Sequence, residues 1–159
     1  MKLTKWILKR KVLMLAFLAM ILTANAQNAS YISKHKTITT ELSEQYGIPA
    51  SVILAVAIVE SSSGQAHAAT RLNNHFGMVG KNNLKAEKKG YRSKYKQYDT
   101  DKESFMDFCR VISNKDFYAR LKDNSDTREW IKAISKAGYS EMPVIWEKRI
   151  LNTISSNKL

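Results

Sequence analysis

The sequence predicts a mainly α domain of five to six helices with one small irregular or β-hairpin lobe. Three observations predict it. Apolar residues recur at three-four spacing in several segments between Tyr31 and Ile154. One run, Ala50 to Val59, is apolar nearly all round, as a helix in the centre of a domain is. Residues 73–98 are instead rich in Asn, Gly, Lys and Tyr and carry no helical period. No repeat, low-complexity tract or Pro-rich linker divides the chain, and 159 residues make one domain.

The N-terminus reads as a separate element. Lys2, Lys5, Lys9, Arg10 and Lys11 form a basic stretch, Val12 to Leu22 is apolar, and Ala24-Asn25-Ala26 supplies small residues. This is the pattern of a signal peptide over residues 1–26, with cleavage expected after Ala26 and a mature domain over 27–159. The apolar run is shorter than the roughly 20 residues a membrane-crossing helix needs. No stable membrane insertion is expected after cleavage, and the destination is the periplasm or the medium.

Within 27–159 the helices follow in order. Tyr31, His35, Ile38, Leu42 and Gln45/Tyr46 share one face, and Gly47 ends that helix. Pro49 suits the first turn of the next, which runs through the apolar stretch to Val59. Ser61-Ser62-Ser63-Gly64 interrupts it, and Gln65 to Leu72 forms a short third helix. Tyr91 to Tyr98 alternates weakly, as one arm of a hairpin would. Thr100 and Glu103 have capping-box spacing ahead of Phe105, Phe108, Cys109 and Ile112. Ser125 or Asp126 caps a helix with Trp130, Ile131, Ile134 and Ala137 inward and Gly138 at its end. Pro143 opens the last helix, with Ile145, Trp146, Ile150 and Ile154 as its apolar positions.

Charge and cysteine content narrow the function classes. The net charge is +12; five of those charges and no acid lie in residues 1–26, so the mature chain carries +7. Export argues against nucleic acid as the partner and favours an anionic wall polymer or membrane surface. The single cysteine, Cys109, excludes an internal disulfide and a Cys-based zinc site. His35, His67 and His75 show no metal-ligand spacing with an acid pair, so neither metal nor cofactor is expected.

Glu60 is the most informative residue. It ends the apolar helix, where an ionised carboxylate is costly. Desolvation raises a carboxyl pKa and keeps a proton available near neutral pH, as a general acid requires. The plain alternative is a glutamate that leaves the helix into solvent.

The surroundings of Glu60 are specific. Ile48-Pro49-Ala50-Ser51-Val52-Ile53-Leu54-Ala55-Val56-Ala57-Ile58-Val59-Glu60-Ser61 is followed by Gly64, then by Asn73-Asn74-His75-Phe76-Gly77-Met78-Val79-Gly80. Tyr98-Asp99-Thr100 with Glu103-Ser104-Phe105 comes next, then Ala137-Gly138-Tyr139 with Pro143 and Glu147-Lys148. In this order the segments resemble the glucosaminidases of glycoside hydrolase family 73, which include flagellar-rod peptidoglycan hydrolases and many autolysins. The resemblance spans about residues 46–154. It implies a lysozyme-like α+β fold and cleavage of the GlcNAc–MurNAc β-1,4 bond in peptidoglycan, with Glu60 protonating the glycosidic oxygen. It places Tyr139 near the acid, where a phenol orients an acetamido group or a water; alternatively Tyr139 packs at a helix end. It assigns the Asn-Asn-x-Phe-Gly segment to the cleft. Asn73 and Asn74 offer amides suited to sugar N-acetyl and hydroxyl groups, although one of them suffices for a turn. Phe76 is either a sugar platform or core. Ser61 and Tyr98 are further candidates for substrate contact.

A second carboxylate is less clearly marked. Glycoside hydrolysis normally uses two. Asp99, Asp101 and Glu103 surround a helix start, where capping accounts for acids. Glu87 has no such role and is the preferred candidate; the alternative is assistance by the substrate's own N-acetyl oxygen. Lys85, Lys88, Lys89, Arg92, Lys94 and Lys96 interleave with Tyr91, Tyr95 and Tyr98, a pattern for wall-polymer attraction or simply a solvated lobe. Ser63 stands where relatives often carry Trp, and Met142 and Ile145 replace an acid and a Tyr, so changes in the cleft are expected. The readings left open are a muramidase or lytic transglycosylase using the same Glu60, and a non-catalytic peptidoglycan-binding scaffold. A monomer working with cell-wall machinery is the expected organisation.

Overall fold

The computed structural model describes residues 2–83 and 93–159. Glu87, Lys85, Lys88, Lys89, Tyr91 and Arg92 lie outside the described residues. The fold is mainly helical, with seven helices among the described residues: α1 Lys2–Tyr46, α2 Ala50–Ser61, α3 His67–Leu72, α4 Asp101–Ser113, α5 Tyr118–Leu121, α6 Thr127–Lys136 and α7 Pro143–Asn157. α5 is the helix the sequence did not announce. It is one turn long, too short for a period to show, and it buries Leu121 completely.

α2 is the centre of the molecule. Val52 through Ile58 are all buried, because every face of the helix has a neighbour. α1, α6 and α7 pack around it, and α4 closes the side toward the lobe. The chain enters α2 through a sharp corner. Gly47 sits at φ +63°, and a Cβ there would collide with Asp123, whose N–H donates to the Gly47 carbonyl at 3.0 Å. Pro49 stands just outside the first turn as the cap residue, and its carbonyl accepts from Ile53 N at 3.2 Å.

α1 is one continuous helix through Ala26, with no break at the expected end of the leader. Its C-terminal part packs on the body. Tyr31 and Leu42 are buried, as the three-four period requires. Gln27 Nε2 donates to the Ser62 carbonyl at 3.1 Å, and Asn28 Oδ1 accepts from Ser63 Oγ. Among the described residues no helix is long and apolar enough to cross a membrane.

The caps follow the sequence. Thr100 Oγ1 accepts from Glu103 N at 3.2 Å, while Glu103 Oε2 reaches back to Asp99 N at 3.0 Å. Asp126, rather than Ser125, caps α6 through the N–H groups of Arg128 and Glu129. Phe105, Phe108, Cys109 and Ile112 form the fully buried face of α4. Two inward assignments are corrected. Ala137 is exposed, because α6 ends at Lys136 and Ala137 is its cap. Ile145 is 54% exposed, because the buried stripe of α7 runs through Trp146 and Ile150, and its neighbour in sequence points about 100° away.

The lobe is a short antiparallel pairing. Val79 bridges Tyr95, Lys96 N donates to Met78 O at 2.7 Å, and Gly80 N donates to Lys94 O at 2.9 Å.

Candidate active site

The site is built at the end of α2. Seven buried residues precede Glu60, and the helix then stops: Ser62 and Ser63 both adopt left-handed conformations, and Ser62 N–H closes onto the Ile58 carbonyl. The carboxylate therefore leaves the core at the mouth of a groove of about 360 Å³. The groove lies between the lobe (Met78, Val79, Lys94, Tyr95), the end of α4 (Val111, Ile112) and the end of α6 (Ala137, Gly138, Tyr139). Among the described residues that line it, Glu60 is the only carboxylate.

Trp146 Nε1 donates to Glu60 Oε1 at 2.6 Å. Burial raises the Glu60 pKa above the usual carboxylate value. The Trp146 hydrogen bond and the positive charge of Arg149 both pull it down, but by less. A protonated carboxyl in a groove, with one oxygen fixed by an indole, can deliver a proton to a bound oxygen atom.

Tyr139 lines the same groove. Its hydroxyl donates to the Phe76 carbonyl at 2.9 Å, and its ring lies 5.4 Å from Trp146. Burial pushes its phenol well above the ordinary value, and the Glu60 charge adds to the shift. Phe76 borders the groove but is 2% exposed, stacked on Phe108 at 4.3 Å and edge-on to Phe105. Its ring is core, and its carbonyl accepts from Tyr139 OH.

Ser61, Asn73, Asn74 and Tyr98 are not among the groove-lining residues. Ser61 Oγ donates to Ala57 O at 2.6 Å and accepts from Gly64 N at 2.8 Å. Asn73 Nδ2 donates to the carbonyls of Tyr98 and Asp99. Asn74 is 1% exposed; its amide donates to Met78 O and Lys96 O and accepts from Met78 N. Both asparagines thus hold the lobe together. Tyr98 OH donates to Asp107 Oδ2 on α4 at 2.7 Å. Glu87 lies outside the described residues. Of the three positions at which changes in the cleft were expected, none is among the described groove-lining residues: Ser63 is buried against Asn28, and Met142 and Ile145 are exposed.

The sequence reading missed Trp146 as a partner of Glu60; a buried Trp on an apolar stripe carries no signal of where its N–H points. It also missed a cluster away from the groove. Spacing suggested no metal ligands, yet folding brings His35, His75 and Asp101 together, with one donor atom from each within 4.8 Å of the others.

A helical body whose central helix ends in one desolvated glutamate, facing a groove beside a small lobe, is a lysozyme-like fold. The chain belongs to the glucosaminidase family: residues 36–159 match the family described as mannosyl-glycoprotein endo-beta-N-acetylglucosaminidase. It is 30% identical over 118 residues to the exo-glucosaminidase LytG of Bacillus subtilis (strain 168), covering 64% of this chain and 42% of that protein. The chain therefore spans less than half of that relative's length. Its fold is similar to the catalytic domain of the autolysin Auto from Listeria monocytogenes, with a TM-score of 0.68 and 20% identity over 83% of this chain and 85% of that one. It is also similar to a mutant of the peptidoglycan hydrolase from Sphingomonas sp. A1, with a TM-score of 0.64 and 18% identity over 81% and 94% of the two chains.

Proposed function

We propose that the chain is a peptidoglycan hydrolase that cuts the GlcNAc–MurNAc β-1,4 bond as an endo-β-N-acetylglucosaminidase, with Glu60 as general acid. The observation that carries this reading is the Glu60 carboxyl, desolvated at the end of the buried helix and open to the groove. Membership of the glucosaminidase family supports the reaction class. An autolysin and a peptidoglycan hydrolase are among the proteins of similar fold, which supports the substrate.

In the reaction Glu60 gives its proton to the glycosidic oxygen as the C1–O bond breaks. Electron density for C1 comes either from the acetamido oxygen of the same sugar or from a water activated by Glu87. In the first case the acetamido oxygen bonds to C1, and water then opens that intermediate. Glu60 takes a proton from this water and returns to its starting state. Tyr139, fixed through Phe76, supports one side of the sugar. Such a positioned acid contributes about 10²–10⁴-fold in rate.

The same geometry serves a muramidase or lytic transglycosylase. Mass spectra of digested peptidoglycan separate them: new GlcNAc reducing ends support the glucosaminidase, MurNAc reducing ends the muramidase, and anhydro-MurNAc ends the transglycosylase. Wall binding without turnover would leave the scaffold reading.

The proposal includes export, with residues 1–26 as a signal peptide removed after Ala26. Its support is the basic-apolar-small pattern and the contacts of Gln27 and Asn28 with the body, immediately past that point. N-terminal sequencing of the exported protein tests it: Gln27 as first residue agrees, Met1 does not.

A further inference from the structure

Tyr31, His35, His75 and Asp101 meet beneath a second cavity of about 500 Å³, formed by α1, the Ser63-Gly64 turn and the start of α4. The cavity is separate in its lining from the Glu60 groove. His35 and His75 are 1% and 4% exposed. His35 Nε2 is 3.1 Å from Asp101 Oδ2, and His75 Nε2 is 2.9 Å from Asp101 Oδ1. His75 Nε2 makes no other hydrogen bond, so it is buried with the Asp101 carboxylate as its partner.

The far side of each ring is already anchored. His35 Nδ1 donates to the Tyr31 carbonyl at 2.9 Å, and His75 Nδ1 is 2.7 Å from the Tyr31 hydroxyl. That hydroxyl is in turn 3.4 Å from Ser61 Oγ. Phe105 stacks on the His35 ring at 5.0 Å and fixes its plane. Metal-binding histidines are oriented in this way, with the second nitrogen held by a carbonyl or a polar partner and the first left for the ion. Donors around a tetrahedral ion with bonds of about 2.0–2.1 Å stand roughly 3.3 Å apart. The two His–Asp spacings are close to that value, and the three donor atoms lie within 4.8 Å of one another, so the side chains draw in around a bound ion.

We propose that His35 Nε2, His75 Nε2 and an Asp101 oxygen form a binding site for a divalent transition-metal ion of the zinc type. Two imidazoles and one carboxylate suit zinc and cobalt better than calcium or magnesium, which take oxygen donors. The ion replaces the proton between His35 Nε2 and Asp101. Lys34 Nζ, 2.7 Å from Asp101 Oδ2, withdraws; its side chain is 68% exposed and free to swing outward. The cavity leaves room for water as the fourth ligand. Bound there, the ion ties α1 to the lobe and to the start of α4. The site takes no part in the chemistry at Glu60.

Cobalt(II) titration of the metal-stripped full chain tests this, followed by visible absorption. The expected result is saturation at one equivalent with the intense bands of a four-coordinate ion, displaced by zinc. The bands should be lost in His75→Gln, whose fold is checked by circular dichroism, and retained in His67→Gln. No such bands in the wild-type chain, or bands that survive in folded His75→Gln, would overturn the proposal. A rise in Tm with zinc in the wild type but not in His75→Gln is the second expected readout, and an equal rise in both contradicts the site.

Discussion

Trp146 Nε1 and Glu60 Oε1 lie 2.6 Å apart, although 86 residues separate them in the chain. The contact joins the end of the central helix to the first turn of the last. It holds one carboxyl oxygen still and leaves the other to the groove. It also opposes the effect of burial, because an N–H donor stabilises the ionised carboxylate.

Trp146→Phe removes that donor, so the Glu60 pKa rises. A general acid works while protonated, so the basic limb of the kcat/KM profile moves to higher pH. Loss of a hydrogen bond to a charged group costs about 2 kcal/mol of stability, read by urea denaturation. An unmoved basic limb would separate Glu60 from that limb.

Arg149→Gln moves the same limb in the same direction, because Arg149 also lowers the Glu60 pKa. Arg149 is exposed, so stability changes by no more than about 0.5 kcal/mol. A pH-rate profile beside a thermal melt distinguishes this electrostatic change from a folding defect.

Tyr139→Phe leaves the Phe76 carbonyl without its donor and costs about 1 kcal/mol. Steady-state kinetics should show kcat lowered by about 10- to 100-fold, with a smaller effect on KM, as misplacement of a reacting group does. An unchanged kcat would reduce Tyr139 to a packing residue.

Asp107 ties α4 to the lobe. Its carboxylate accepts from Lys96 Nζ at 2.8 Å, Tyr98 OH at 2.7 Å and Arg110 Nε at 3.1 Å. Burial raises its pKa, but these donors outweigh burial and hold it at about 2, below the ordinary 3.8. A depressed carboxyl pKa stabilises the fold above the ordinary value and loses that contribution as pH falls toward the folded one. Asp107→Asn should therefore cost about 1.5–3 kcal/mol near neutral pH. It should also flatten the loss of stability between about pH 4 and pH 2, measured by denaturation at each pH.

Much of this architecture was legible because it rests on local rules. The apolar stretch Ala50–Val59 could only be a central helix, and Thr100 and Asp126 cap where their spacing placed them. Glu60 stood out as the charge that ends the buried run. The remainder depends on long-range geometry. Asn73 and Asn74 looked like sugar-binding amides, but their partners are backbone carbonyls that arrive from the far side of the lobe. Trp146 gave no sign of its partner, and His35, His75 and Asp101 belong to three segments with no shared spacing. Ile145 was misassigned because an apolar residue beside a buried stripe looks the same in sequence as one within it.

The central claim is that Glu60 is the acid that cleaves peptidoglycan. The most direct test is digestion of purified peptidoglycan by the wild-type chain beside Glu60→Gln, with fragments read by mass spectrometry. The account predicts new GlcNAc reducing ends from the wild type and a loss of about 10²–10⁴-fold in Glu60→Gln with the fold retained. Equal turnover by both forms, or binding by both with no turnover by either, would contradict it.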